Sequence, residues 1–224
     1  MRQPLAKRAV AEALGTFFLL AAVVGSGIMA ERLAGGNIAL ALLANTAATG
    51  AALVALIISF APLSGAHFNP IVTLSFALRH DLGWHEVPIY LLAQLVGGIG
   101  GVMAANVMFG LPLVFLSNHP RAGMAQLFSE FIATLGLLSV ILAASRSTVA
   151  VVAVAVGAYI TAAYWFTAST SFANPAVTIA RCLSDTFAGI RPVDAPGFIL
   201  AQLAGCIAAT VLFRWLMPIS EFER

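Results

Sequence analysis

A chain of 224 residues that is 61% hydrophobic and 9% charged, with Lys7 as its single lysine, is not a soluble domain, which would carry about a quarter charged residues. The net charge of +2 is small and the basic residues form no cluster, which excludes a nucleic-acid surface or an acidic partner. What remains is a membrane protein.

Arg2, Lys7 and Arg8 precede the first apolar run, a pattern shared with signal peptides. That run continues over 9–30 without a clear cleavage site, and further runs follow, so it reads as a retained first helix. A helix crosses a hydrocarbon core of roughly 30 Å with about 17–25 residues. Six stretches meet that length: 9–30, 38–60, 88–109, 124–144, 148–166 and 196–217. Cys182 and Cys206 have neither CxxC nor metal spacing and read as packing residues.

Two shorter elements stand between the spans. Asn69-Pro70-Ile71 and Asn174-Pro175-Ala176 are the two places where an Asn is followed by Pro. An Asn side chain accepts from the free N–H groups of a first helical turn, and Pro suits the first helical position, where no donor is missed. Each copy therefore predicts a short helix, over 69–78 and 174–183. Ten residues at 1.5 Å rise cover roughly 15 Å, half a bilayer.

With the N-terminus inside, the inner side holds seven cations (Arg2, Lys7, Arg8, Arg79, Arg146, Arg214, Arg224) and the outer side four (Arg32, Arg121, Arg181, Arg191). The bias favours both termini in the cytoplasm. The sequence also repeats. Residues 9–109 and 127–217 align through Glu12/Thr16 with Glu130/Thr134, the two Asn-Pro pairs, and Pro88 and Gln94 with Pro196 and Gln202. Three spans per repeat is an odd number, so the second copy is inverted. The expectation is an all-α membrane protein: six transmembrane helices plus two re-entrant half-helices in an inverted repeat, forming a single channel domain over 1–224. The polar link 117–123 reads as a plain loop.

Half-helices entering from opposite faces bring two positive helix ends together at the midplane. Their caps are expected to leave the Asn69 and Asn174 amide N–H groups free to donate between them. The connections 62–68 and 167–173 are irregular backbone at membrane depth, tolerated where it is buried or lines a wet cavity. Carbonyls of Gly65, Ala66 and His67 would face the path, and Ile71 and Ala176, which close the two Asn-Pro strings, are expected to line it as well. Such a path passes uncharged hydrogen-bonding solutes and opposes cations, the physics of aquaporin-type selectivity.

Ser64-Gly65-Ala66-His67-Phe68-Asn69-Pro70 and Asn174-Pro175-Ala176, with Glu12, Glu130, Gln94 and Gln202, make the chain similar to the aquaporin (major intrinsic protein) family over essentially its whole length. The resemblance implies a homotetramer in the cell (inner) membrane, each subunit with its own pore and with no cofactor or metal. It also implies that Glu12 and Glu130 brace the loops rather than relay protons, with Pro70 and Pro175 opening the half-helices, and that an outer narrowing is lined by four positions. Spacing carries these to Thr49, Ala162, Ser171 and Val177. Here the chain departs from the family, which normally has Arg where Val177 stands, and whose water channels have an aromatic at Thr49 and His at Ala162. A filter of Thr, Ala, Ser and Val is expected to be wide, weakly polar and without a fixed cation. Arg181, four residues past Val177, either supplies charge from further out or, as preferred, meets the end of the half-helix and faces outer solvent.

The function expected is passive conduction of small neutral solutes: metalloid acids such as arsenite, glycerol or other polyols, and water. Glycerol facilitators of the family carry Arg-Asp where this chain has Val177-Thr178, and bacterial members lacking the filter Arg occur in arsenic handling, so analogy leans toward metalloids. The alternative is a water-selective aquaporin. An enzyme is not supported, because Ser64 and His67 belong to no Gly-x-Ser-x-Gly or His-Glu-x-x-His pattern. Val177→Arg is expected to cut glycerol flux about tenfold more than water flux in proteoliposome swelling, a change of about 1.4 kcal/mol in relative barrier. Equal losses of both fluxes would show that this position does not set the width.

Overall fold

In the computed structural model residues 3–217 are described, so Arg2 and Arg224, counted above toward the inner side, lie outside the described residues. The fold is all-helical: α1 Leu5–Leu33, α2 Ile38–Ser64, α3 Pro70–Leu78, α4 Val87–Met108, α5 Met124–Ala144, α6 Val149–Phe166, α7 Pro175–Arg181 and α8 Ala195–Leu216. Among the described residues six of these are long and apolar enough to cross a membrane, and α3 and α7 are the half-helices. In hydrocarbon every backbone N–H and C=O needs an internal partner, so helices are the only open-chain way across.

Local chemistry sets the ends. The Asn37 side chain caps α2 by accepting from the Leu40 N–H (3.1 Å), and Thr148 caps α6 by accepting from the Val151 N–H (3.4 Å). α4 and α8 carry Pro in the first turn behind an acidic residue, Glu86 or Asp194, which suits the positive end of a helix. α1 outruns its apolar stretch at both ends, because nothing breaks the helix before Gly35-Gly36. α2 runs past the expected 60 and through Pro62 to Ser64, where Gly65 at φ 95° ends it in the left-handed conformation. α7 is shorter than expected. Cys182 and Leu183 donate to Ile179 and Ala180, tightening the chain into a turn at Arg181.

The two halves pack alike. α1 packs on α2 and α4, α5 packs on α6 and α8, and α2 meets α6 across the middle. α3 and α7 each lie against both α4 and α8 and touch one another. The basic residues collect at two ends. Arg8 pairs with Glu86, and Arg214 donates to the Leu78 carbonyl at the end of α3 (2.6 Å). At the other end Arg121 and Arg191 meet the segment between α7 and α8 and the link that precedes α5. That link is more than a plain loop. Asn118 donates to Asp185 through its backbone N–H (2.9 Å) and its amide (3.0 Å), holding that carboxyl below the usual carboxylate range. The Arg191 N–H donates to the His119 carbonyl (2.9 Å). The link thus straps the end of α7.

Gly97 and Gly101 serve packing inside the chain. A Cβ at Gly97 would stand 2.1 Å from the Ala13 carbonyl oxygen, and one at Gly101 2.2 Å from that of Phe17, so α4 and α1 touch backbone to backbone. Gly97→Ala is expected to destabilise the fold by about 1–3 kcal/mol through overpacking against backbone. The check is the thermal unfolding midpoint in detergent, compared with Gly100→Ala, where the nearest group is the Phe17 ring at 3.3 Å and a side chain can yield.

Candidate pore site

The loops before the two half-helices are built to one plan. Ala66 (φ 51°) and Phe68 (φ 49°) precede Asn69, and Ser171 (φ 51°) and Ala173 (φ 47°) hold the same offsets before Asn174. Left-handed backbone costs a non-Gly residue roughly 1–2 kcal/mol, so something must hold it. In the first loop that is Glu12. Its Oε1 accepts from Ser64 Oγ (2.6 Å) and the His67 N–H (2.9 Å), and its Oε2 from the Phe68 N–H (2.7 Å) and Gln94 Nε2 (2.8 Å). In the second, Glu130 accepts from the N–H groups of Phe172 and Ala173 (both 2.9 Å) and from Gln202 Nε2 (2.7 Å). The braces then reach the half-helices. Gln94 and Gln202 donate onward to Thr73 and Thr178 (both 3.0 Å), whose hydroxyls donate to the carbonyls of Asn69 and Asn174.

The caps lock together at the centre. Asn69 Oδ1 accepts from the Ile71 N–H (2.9 Å), and Asn174 Oδ1 from Ala176 (3.0 Å) and Val177 (3.3 Å). Their amides are not wholly free, which corrects the expectation. Asn69 Nδ2 donates to the Ala173 carbonyl and Asn174 Nδ2 to the Phe68 carbonyl, both at 2.8 Å. One amide hydrogen of each Asn therefore ties the opposite loop; the second has no protein acceptor among the described residues. Both caps line one cavity.

Gly65, Ala66 and His67 line that cavity beside Asn69, with Val72 and Phe76 of α3. The His67 ring sits 3.1 Å from Thr73 Oγ1 through Nδ1 and packs against Phe76 and Tyr90. The walls are apolar stripes at helical spacing: Leu53 and Ile57 below Thr49 on α2, and Val152, Val156, Ile160 and Tyr164 on α6. Ile71 and Ala176, expected on the path, are buried outside the lining, Ile71 against Leu138 and Cys206.

Thr49, Ser171 and Val177 come together on the cavity wall; Ala162 does not. Ala162 is exposed, because two residues at about 100° each turn it some 200° from Ile160 around α6. Tyr164 stands there instead, its hydroxyl 3.4 Å from Thr49 Oγ1, so an aromatic ring takes space where a small residue was expected. The i, i+4 series ending at Tyr164 was the available signal. Ser171 Oγ is buried without a hydrogen-bond partner.

Arg181 does not face solvent. It is 2% exposed and lines the same cavity; its Nε donates to the Ala188 carbonyl and its guanidinium lies 3.5 Å from the Phe172 ring centre. Arg121 approaches the same ring at 4.9 Å and donates to the carbonyls of Gly189 (2.8 Å) and Ser169 (3.0 Å). Burial pushes the Arg121 guanidinium down to about 10, which leaves it charged at neutral pH.

A profile of the family "Major intrinsic protein" matches residues 1–150 and 144–222. The chain is 55% identical over 213 residues to aquaglyceroporin AqpS of Rhizobium meliloti (strain 1021), covering 95% of this chain and 91% of that protein. It is 34% identical over 224 residues to aquaporin NIP1-3 of Oryza sativa subsp. japonica, covering 96% and 77%. The X-ray structure of the aquaglyceroporin from Plasmodium falciparum shares the fold, with a TM-score of 0.71 at 22% identity over 96% of this chain and 97% of that one. The chain belongs to the major intrinsic protein family, and is a multi-pass membrane channel rather than an enzyme.

Glu130→Ala removes three hydrogen bonds from a loop with three left-handed residues, Thr170, Ser171 and Ala173, and is expected to lower stability by about 3 kcal/mol or more, with loss of flux. Glu130→Gln keeps one acceptor oxygen and should fall between. Thermal unfolding in detergent and swelling of proteoliposomes check the order; equal behaviour of Ala and wild type would remove the bracing role.

Proposed function

We propose that this chain is a passive channel of the aquaglyceroporin type, conducting small neutral solutes that carry hydroxyl groups: glycerol or other polyols, and hydroxylated metalloids such as arsenite, together with water. The observation that carries the reading is the cavity itself. Apolar stripes from α2 and α6 face the two cap amides and the Gly65–His67 segment, so a passing solute meets hydrocarbon on one side and hydrogen-bonding groups on the other. A polyol or an undissociated metalloid acid, with its charge absent and its hydroxyls clustered, suits such a lining. The name of its relative of R. meliloti, an aquaglyceroporin 55% identical to it, supports the same solute class.

The end holding Arg8, Arg79 and Arg214 is assigned to the cytoplasm on the inner excess of cations, with both termini inside and the protein in the cell membrane. Four copies, each with its own pore, form the assembly that the family resemblance implies. A water-selective pore is the second reading, favoured by one observation: the Tyr164 ring narrows the path beside Thr49. Swelling of proteoliposomes in glycerol, paired with arsenite uptake, separates the two. The expected outcome is entry of both solutes well above empty vesicles; water flux without either solute would replace the wide pore by the water-selective one.

A further inference from the structure

We propose that Arg181 is the cation barrier of this pore, set one helical turn along α7 from the position where channels of this family carry their filter Arg, and that with the Ser171 hydroxyl it forms the hydrogen-bonding face of that constriction. The proposal rests on the channel reading above.

Val177 and Arg181 are four residues apart on α7, so they share a face, and both line the cavity. Replacing the usual Arg by Val177 removes a fixed charge at one level; Arg181 restores one at the next. Its guanidinium is held from two sides, by its Nε bond to the Ala188 carbonyl and by the Phe172 ring beneath it. The terminal Nη groups have no protein acceptor among the described residues, so the donor edge of the plane remains for the path. No described carboxylate forms an ion pair with it. Glu130 has its oxygens taken by Phe172, Ala173 and Gln202, and Asp194 is paired with Arg191.

Arg121 adds to the same field. It stands at the same Phe172 ring, its side chain bonded to carbonyls and not to a carboxylate. Two guanidinium charges at one ring, both on buried residues in low-dielectric surroundings, oppose a cation far more than the same charges would in solution. A neutral solute pays no such Coulomb cost and gains donors. Ser171 is 3% exposed, and its Oγ, without a partner among the described residues, supplies a further one from the lining of the same cavity as Arg181. Arg is suited to this because its fork presents several fixed N–H groups to an oxygen-bearing solute.

A purely structural role for Arg181, pinning the segment at Ala188, makes a different prediction, and proteoliposomes distinguish the two. Proton leak under a clamped potential is measured as a ratio to water flux in the same vesicles, with glycerol entry alongside. Wild type should leak no faster than empty vesicles while passing water and glycerol. Arg181→Met should raise the leak ratio about tenfold or more, the effect of removing one desolvated unit charge from an ion's path. Arg181→Lys should stay near wild type. Val177→Arg combined with Arg181→Met should lower the ratio again, although the bond to Ala188 is still missing. An unchanged ratio in Arg181→Met overturns the proposal, as does a Lys variant that leaks like Met, or a double variant that leaks like the single one. Should Arg181→Met not assemble, the wild type and the Lys variant decide: a wild type that leaks protons freely also overturns the proposal. Glycerol and water flux with no effect of Arg181 sinks this proposal alone; a wild type that passes neither sinks the channel reading with it.

Discussion

Glu12 and Glu130 take up the backbone N–H groups that the loops before α3 and α7 turn away from the cavity, and the rest of the site depends on those bonds. Non-helical backbone at membrane depth cannot borrow water for its donors and acceptors. With the N–H side committed to a carboxylate, the carbonyl side is left for the path and for the opposite cap. The left-handed residues at Ala66, Phe68, Ser171 and Ala173 are the conformational consequence. A buried acid here is tolerable because it accepts three or four hydrogen bonds, not because it is neutralised by a neighbouring cation.

The same economy of donors explains the centre. Each Asn divides its side chain among three tasks: its oxygen caps its own half-helix, one amide hydrogen ties the other loop, and the second is left over. The crossed pair makes the two halves depend on each other, so neither half-helix is positioned without the opposite loop. Both positive helix ends point at one place, and the local field is set by backbone before any charged side chain contributes.

Charge then enters asymmetrically. Two arginines gather at the end where α7 and the link before α5 meet, held by carbonyls and by the face of Phe172. Among the described residues the first half places no counterpart to Arg181 in the cavity wall; α3 ends at Leu78, and Arg79 pairs with Asp81 outside the lining. An inverted repeat of backbone therefore carries a filter on one side only, written in side chains that the repeat does not share.

Much of this was legible in the chain before it folded. Composition selected lipid as the solvent, the run lengths selected six spans, and the two Asn-Pro pairs marked the centre, because capping acts between near neighbours. Glu12, Glu130, Gln94 and Gln202, whose partners lie far along the chain, were marked by their repeated placement and the family resemblance. Three things were decided only by tertiary packing. Rotation of α6 against α2 brought Tyr164 rather than Ala162 to the cavity, since a spacing counted along the chain does not fix the phase of a helix face. The crossed cap bonds needed both loops in place. Arg181 was turned inward by Ala188 and Phe172, residues seven after it and nine before it, and no local rule of helix ends gives the direction of a side chain whose partners lie on another turn of the chain.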